Sequence, residues 1–184
     1  MKTRAIVFQK ENLKRCSREK KMARLLEQLE KNTQLDKVIY KHDLMQEEEL
    51  TAKQVWEYSD KLAFYLNETY KEDKSPIVVY GHKHPFMLVY FLACVKSGRA
   101  FCPVDVNTPI DRVRDIAATV KSPIVLVSEA IELDTPIMTV DEAKKIITQT
   151  KERVSKEHYV QDEDIFYIIF TSGSTGKPKG VSIT

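Results

Sequence analysis

What most constrains this chain is a repeated pairing of patterns: short apolar runs rich in β-branched residues, each followed by a stretch with helical spacing. Pro76-Ile-Val-Val-Tyr80, Ala100-Phe-Cys-Pro-Val104 and Ile124-Val-Leu-Val127 show no polar alternation, so each is expected to be a strand buried on both faces. Between them lie helix signals. Thr51 and Gln54 have capping-box form and open a helix running to about Asn67, with Val55, Tyr58, Leu62 and Leu66 on its inward stripe and Lys53, Glu57 and Lys61 toward water. Pro85 to Lys96 is apolar nearly all round, a core helix that Gly98 can end by taking a positive φ. Thr108 is the expected N-cap of the next helix, with Pro109 at its first position and Ile110, Val113, Ala117 and Val120 on one face. Thr139 and Glu142 cap a further helix through Ile146 and Ile147; Lys37 to Tyr40 and Ile137 to Thr139 read as additional short strands. Residues 148–164 are polar and read as a surface connection. Strands that alternate with helices imply β-α-β crossovers, so the fold class is α/β, a mostly parallel sheet flanked by helices.

The last strand signal, Ile165-Phe-Tyr-Ile-Ile-Phe170, belongs in the middle of a sheet and delivers the chain into Thr171-Ser-Gly-Ser-Thr-Gly-Lys-Pro-Lys-Gly180. In open α/β sheets ligands bind where strands end. Gly173, Gly176 and Gly180 let backbone N–H groups approach an anion, the hydroxyls of Thr171, Ser172, Ser174 and Thr175 can donate to phosphate oxygens, and Lys177 and Lys179 add positive charge. A kinase-type P-loop is excluded, because its Gly-Lys pair precedes Ser or Thr, whereas Gly176-Lys177 precedes Pro178. Val181-Ser-Ile-Thr184 alternates like a strand, so the unit is strand, loop, strand, and the anion would be held by amides and hydroxyls rather than by a helix end.

Residue for residue, this loop resembles the phosphate loop of the acyl-adenylate-forming enzymes: acyl-CoA synthetases, luciferases, peptide-synthetase adenylation domains and their relatives. The resemblance extends over residues 22–184 and includes Leu92-Ala-Cys-Val-Lys-Ser-Gly-Arg-Ala-Phe-Cys-Pro-Val-Asp105, with Pro109 and Arg112 after it. Ser75 to Met87 is similar to the branch of that family that activates D-alanine for a carrier protein. Ala52, Ser97 and Arg99 depart from the usual Tyr, Ala and His, which bears on the branch and not on the loop.

The resemblance implies a reaction in which a carboxylate attacks the α-phosphorus of ATP complexed with Mg2+, giving acyl-AMP and pyrophosphate, after which a phosphopantetheine thiol displaces AMP. D-alanine would be the acid, a small carrier protein the thiol donor, and lipoteichoic acid biosynthesis in the cytoplasm the setting. The expected nucleotide-binding residues are Thr171, Ser172, Gly173, Ser174, Thr175, Gly176, Lys179 and Gly180, with Thr171 and Ser172 the first ATP contacts. No catalytic residue and no metal ligand are expected within the chain. The family's ribose-binding aspartate, hinge and carboxylate-binding lysine lie beyond Thr184, so residues 22–184 are expected to be an incomplete N-terminal AMP-binding domain, inactive alone. Another acyl-CoA synthetase or peptide-synthetase domain, or a non-catalytic truncated product, stays open on these residues.

Composition sharpens the periphery of this reading. Residues 1–21 hold eight Lys or Arg and two Glu, against 21 basic and 25 acidic residues in the remainder. That basic head lacks the apolar run of a signal peptide, and it reads as a disordered extension upstream of a true start at Met22, not as a nucleic-acid arm. The longest apolar stretch, Phe86 to Val95, is too short to span a bilayer. Cys16, Cys94 and Cys102 are an odd number without CxxC spacing, which argues against a disulfide framework or a structural zinc site and fits a reducing cytosol. His82 and His84 read as surface residues rather than a metal pair, and Cys94, Cys102 and Trp56 as packing residues.

Overall fold

Thr51 begins the main body of the fold as the sequence requires. Its hydroxyl accepts from the Gln54 amide while the Gln54 side chain accepts from the Thr51 amide, and α1 (Ala52–Thr69) follows. The computed structural model describes residues 26, 28, 30, 31, 36–41, 49–161, 163–171 and 179–184, so the basic head lies outside the described residues. Ahead of α1, β1 (Val38–Lys41) and β2 (Glu49–Thr51) form an antiparallel pair. After it come β3 (Ile77–Tyr80), α2 (Pro85–Lys96), β4 (Phe101–Val104), α3 (Ile110–Val120), β5 (Val125–Val127), β6 (Ile137–Met138), α4 (Val140–Gln149), a 3-10 turn at Lys156–His158, β7 (Tyr167–Thr171) and β8 (Lys179–Ile183).

The last six strands form one sheet in the order β6-β5-β3-β4-β7-β8, parallel throughout except for the antiparallel β7–β8 pair. The chain steps from β3 to β4 in one direction and from β4 back past β3 to β5 in the other. Right-handed crossovers then place α2 and α3 on opposite faces. Two cores record that division. Ile77 and Val79 of β3 pack with α1, α2 and α4, whereas Val78 and Tyr80 pack with Val113, Ile116 and Ala117 of α3. All four residues of β3 are buried, as its unbroken apolar pattern requires. Each fully buried Val, Leu or Phe contributes ~1.5–3 kcal/mol of transfer free energy, so these two cores hold the sheet.

Buried polar groups tie the α1–α2 side together. Lys96 is 0% exposed in side chain, and its three donors go to Asp60 Oδ1 at 2.7 Å, Ser59 Oγ at 2.9 Å and the Trp56 carbonyl at 3.1 Å. Its Nζ also sits 3.6 Å from the Trp56 ring centroid. Burial pushes the Lys96 ammonium down to about 8, and Asp60 pulls it partly back. Arg99, fully buried, donates to the carbonyls of Tyr70, Asp73 and Ser97, which end α1 and α2, where carbonyls crowd and the helix dipoles are negative. Gly98 takes φ +73°, closing α2 as its position predicts.

Three expectations need correction. Pro109, not Thr108, is the N-cap of α3, and no side chain caps that end. Residues 148–164 are not a plain surface connection, since Val154, Tyr159 and Val160 are buried against the first core. Finally, β7 is internal to the sheet but alternates: Ile168 is buried, while Ile169 is 45% exposed on the face it shares with Val181, opposite it in β8.

Candidate functional site

The carboxyl ends of β3, β4, β5 and β7 meet at one edge of the sheet, and the loops leaving β3 and β4 turn to opposite faces. Such a divergence opens a crevice between the two strand ends. His82 and Asp105, the second residue after β3 and the first after β4, face each other across it, with Nδ1 to Oδ2 at 2.7 Å. The other Asp105 oxygen accepts from the Asn107 backbone amide at 2.9 Å and its side-chain amide at 2.6 Å. The Asn107 amide, aided by His82, holds the Asp105 carboxyl below its usual range. An ionised carboxylate only accepts, so His82 Nδ1 is the donor in this pair.

On the α2 side of the crevice, His84 caps the helix, its Nδ1 accepting from the Phe86 amide at 3.1 Å. A Cβ on Gly81 would collide with Ser128 Oγ, at the end of β5, and that buried hydroxyl has no hydrogen-bond partner among the described residues. Beside it a groove of about 650 Å3, lined chiefly by Tyr80, Val106, Ile110, Val127 and Ile131, runs along the ends of β3, β5 and β6. Among the described residues no group of three or more His, Cys, Asp or Glu could hold a metal ion.

β7 ends at this edge and β8 begins there. Thr171 is the last residue of β7 and pairs with Lys179, the first of β8; Phe170 pairs with Gly180. The two strands expected on either side of residues 172–178 are both present. Thr171, Lys179 and Gly180 are therefore brought together at the rim and exposed. Ser172, Gly173, Ser174, Thr175 and Gly176, with Lys177 and Pro178, lie outside the described residues. Gly180 has a second reason to lack a side chain: a Cβ there would stand 3.0 Å from Ile168 Cγ2 and 3.2 Å from Phe170 Cζ.

Two contacts at this edge were not foreseen from the residues. The His82–Asp105 pair joins positions 23 apart, and Arg112, in the first turn of α3, donates from Nη2 to the Thr171 carbonyl at 2.8 Å across 59 positions. The only sequence signal for Arg112 was its place after the Pro103-Val104-Asp105 segment.

Comparison with known proteins agrees with this geometry. The family model described as AMP-binding enzyme matches residues 26–184. The chain is 42% identical over 167 residues to a D-alanine--D-alanyl carrier protein ligase of Bacillus cytotoxicus (strain DSM 22905 / CIP 110041 / 391-98 / NVH 391-98), covering 88% of this chain and 32% of that protein. It is 45% identical over 139 residues to the ligase of the same name from Bacillus cereus (strain G9842), covering 73% of this chain and 28% of the relative. The chain thus spans about a third of the length of the curated relatives it matches. Among solved structures, the Klebsiella oxytoca NpsA N-terminal subdomain superposes with a TM-score of 0.70 at 20% identity, covering 90% of this chain and 42% of that one. VinN in complex with 3-methylaspartate gives 0.68 at 20% identity, covering 87% and 46%. These two likenesses bear on the fold, the sheet and helix arrangement already described.

Proposed function

The chain belongs to the AMP-binding enzyme family, and from that premise we propose that it is N-terminal sequence of a ligase that activates D-alanine with ATP and passes it to a carrier protein. The observation that carries the reading is that β7 ends at Thr171 and β8 begins at Lys179, paired with it, at the carboxyl edge of a largely parallel sheet. The identity of 42% to a D-alanine--D-alanyl carrier protein ligase supports the choice of acid.

In this reading residues 22–184 are the first part of an AMP-binding domain, and residues 1–21 lie outside it. Thr171, Ser172, Gly173, Ser174, Thr175, Gly176, Lys179 and Gly180 bind the β- and γ-phosphates. A carboxylate oxygen of D-alanine attacks the α-phosphorus, the bond to the bridging oxygen breaks, and pyrophosphate leaves. Amides, hydroxyls and the Lys179 ammonium orient that leaving group and offset its charge. The thiol of a phosphopantetheinylated carrier protein then attacks the acyl carbon, and AMP departs. Mg2+ rides on the nucleotide phosphates, since magnesium keeps waters and binds with substrate oxygens rather than in an all-protein cage. No described helix is long and apolar enough to cross a membrane. The same reading places the enzyme in the cytoplasm, serving lipoteichoic acid D-alanylation.

The test is ATP–pyrophosphate exchange by the protein that carries this chain, with D-alanine, L-alanine and a fatty acid as alternatives. Exchange stimulated by D-alanine alone upholds the reading. Stimulation by the fatty acid would reassign the protein to the acyl-CoA synthetases, and exchange with none of the three would refute activation of these acids.

A further inference from the structure

A cavity of about 360 Å3 lies between the last turns of α1, the connection from α1 to β3 and residues 153–158, by the amino rather than the carboxyl end of β3. Lys71 and Lys74 line it from the connection and Arg153 from the far side. Glu68 is the one carboxylate in the described lining, and it stands 3.4 Å from Lys71, both side chains well exposed. Arg153 has only long contacts, 3.6 Å to Glu57 and 3.9 Å to Asp60.

The surroundings of Lys74 are not explained by folding alone. Its ammonium donates to Asn67 Oδ1 at 2.7 Å and to the Ser97 carbonyl at 3.2 Å, and Arg99 Nη1 donates to the same two oxygens at 3.2 and 2.9 Å. Two cations therefore converge on neutral acceptors, and neither forms an ion pair with a described carboxylate. Like charges so close repel, and a neutral oxygen offsets less of that than an anion does. Burial, and then Arg99, hold the Lys74 ammonium below its ordinary range. Asn67, 8% exposed, lines the same cavity. With Oδ1 occupied by the two cations, its buried Nδ2 has no acceptor among the described residues. What both observations lack is an acceptor that carries negative charge.

We propose that this cavity is a binding site for a small phosphate monoester, separate from the nucleotide edge. Phosphate oxygens give charged acceptors to Lys71, Lys74 and Arg153 and one to Asn67 Nδ2. The cavity extends beyond what a phosphate group fills, and Phe64 and Val154 supply an apolar wall for the organic part.

The chain is titrated with phenyl phosphate and with inorganic phosphate, ionic strength held constant with chloride, by calorimetry and by the NMR signals of the Asn67 side-chain amide. Phenyl phosphate should bind, move those signals and bind more tightly than inorganic phosphate. Lys74→Met should weaken it about tenfold, the scale of one charge-assisted hydrogen bond. Arg153→Gln, at a side chain 55% exposed whose loss leaves the core intact, should weaken it about threefold, the scale of a solvated ion pair. Absence of binding, or binding that neither substitution weakens, would overturn the assignment. So would binding kept in Lys74→Met and lost in Lys179→Met, which would place the ligand at the nucleotide edge instead.

Discussion

Replacing Lys96 by Met keeps the length of the side chain and its packing, and removes only the ammonium. That ammonium gives all three of its donors to α1: the Asp60 carboxylate, the Ser59 hydroxyl and the Trp56 carbonyl. Asp60, 8% exposed in side chain, would keep Tyr159 O–H at 3.4 Å and the half-exposed Arg153 at 3.9 Å, both long and one of them solvated. Removing one partner of a buried pair typically costs 3–5 kcal/mol, and these two residual contacts place Lys96→Met near the lower end, at ~3 kcal/mol. Asp60→Asn leaves an acceptor in place and should cost ~1.5–3 kcal/mol, the worth of the charge-assisted bond.

The double variant has neither buried charge. Its loss should therefore fall short of the sum of the two singles by at least ~1.5 kcal/mol, because contacting residues are coupled. Urea unfolding at neutral pH measures all four proteins, and the coupling should persist at high salt, since buried pairs are poorly screened. Additivity within ~0.5 kcal/mol, or a Lys96→Met loss below ~1 kcal/mol, would refute the argument that this pair is an interdependent buried unit.

The same lysine makes a pH prediction. Its folded value of about 8 lies below the ordinary 10.5, so between those limits the unfolded chain holds more protons and the Lys96 contribution to stability rises with pH; it is flat below and above. Buried Tyr159, Cys94 and Cys102 pull the other way in that range, so the measurement is the difference between the parent and Lys96→Met melts across alkaline pH. Gly98→Ala should cost ~1–2 kcal/mol from its φ of +73°, and more because the new Cβ would lie 2.6 Å from the His158 carbonyl; thermal melting reads it. Gly81→Ala should cost ~1–3 kcal/mol by overlap with Ser128 Oγ, and Ser128→Ala, nearly neutral alone because that hydroxyl bonds nothing among the described residues, should recover most of the loss in the double variant. Val181→Lys, at 50% exposure on the open face of β8, should reduce self-association in sedimentation without lowering the melting temperature, because an edge strand with an apolar face invites pairing.

Much of the fold was legible because its signals are local. The capping boxes at Thr51 and Thr139, the positive φ at Gly98 and the unbroken apolar run of β3 each depend on a few adjacent residues. The buried salt bridge was not legible, since Asp60 and Lys96 stand 36 positions apart and each, read alone, is an ordinary charge on a helix. Residues 148–164 misled for a related reason: their polar majority hides Val154, Tyr159 and Val160, whose burial is decided by what α1 and α2 leave uncovered. At the site, the strands on either side of residues 172–178 were legible from their apolar and alternating patterns, whereas His82–Asp105 and Arg112–Thr171 arise from where a twisted sheet brings its strand ends.

Those two contacts share a cause. A sheet whose hydrogen-bond ladders ran unbroken to every strand end would present a closed row of paired backbone groups, with no room for a ligand to lie against it. Here the β3 and β4 loops part to opposite faces, and Pro103 ends the ladder between β4 and β7 before Thr171. At the first a side chain bonds across the parting loops, His82 to Asp105, and at the second Arg112 adds a bond to the carbonyl of Thr171, the residue paired with Lys179 of β8. A side-chain bond differs from a ladder bond in leaving surplus donors and acceptors on the bridging group, His82 Nε2 in one case and the rest of the guanidinium in the other. The edge is thus held in shape by groups that can still address a ligand, which backbone pairing alone would not provide.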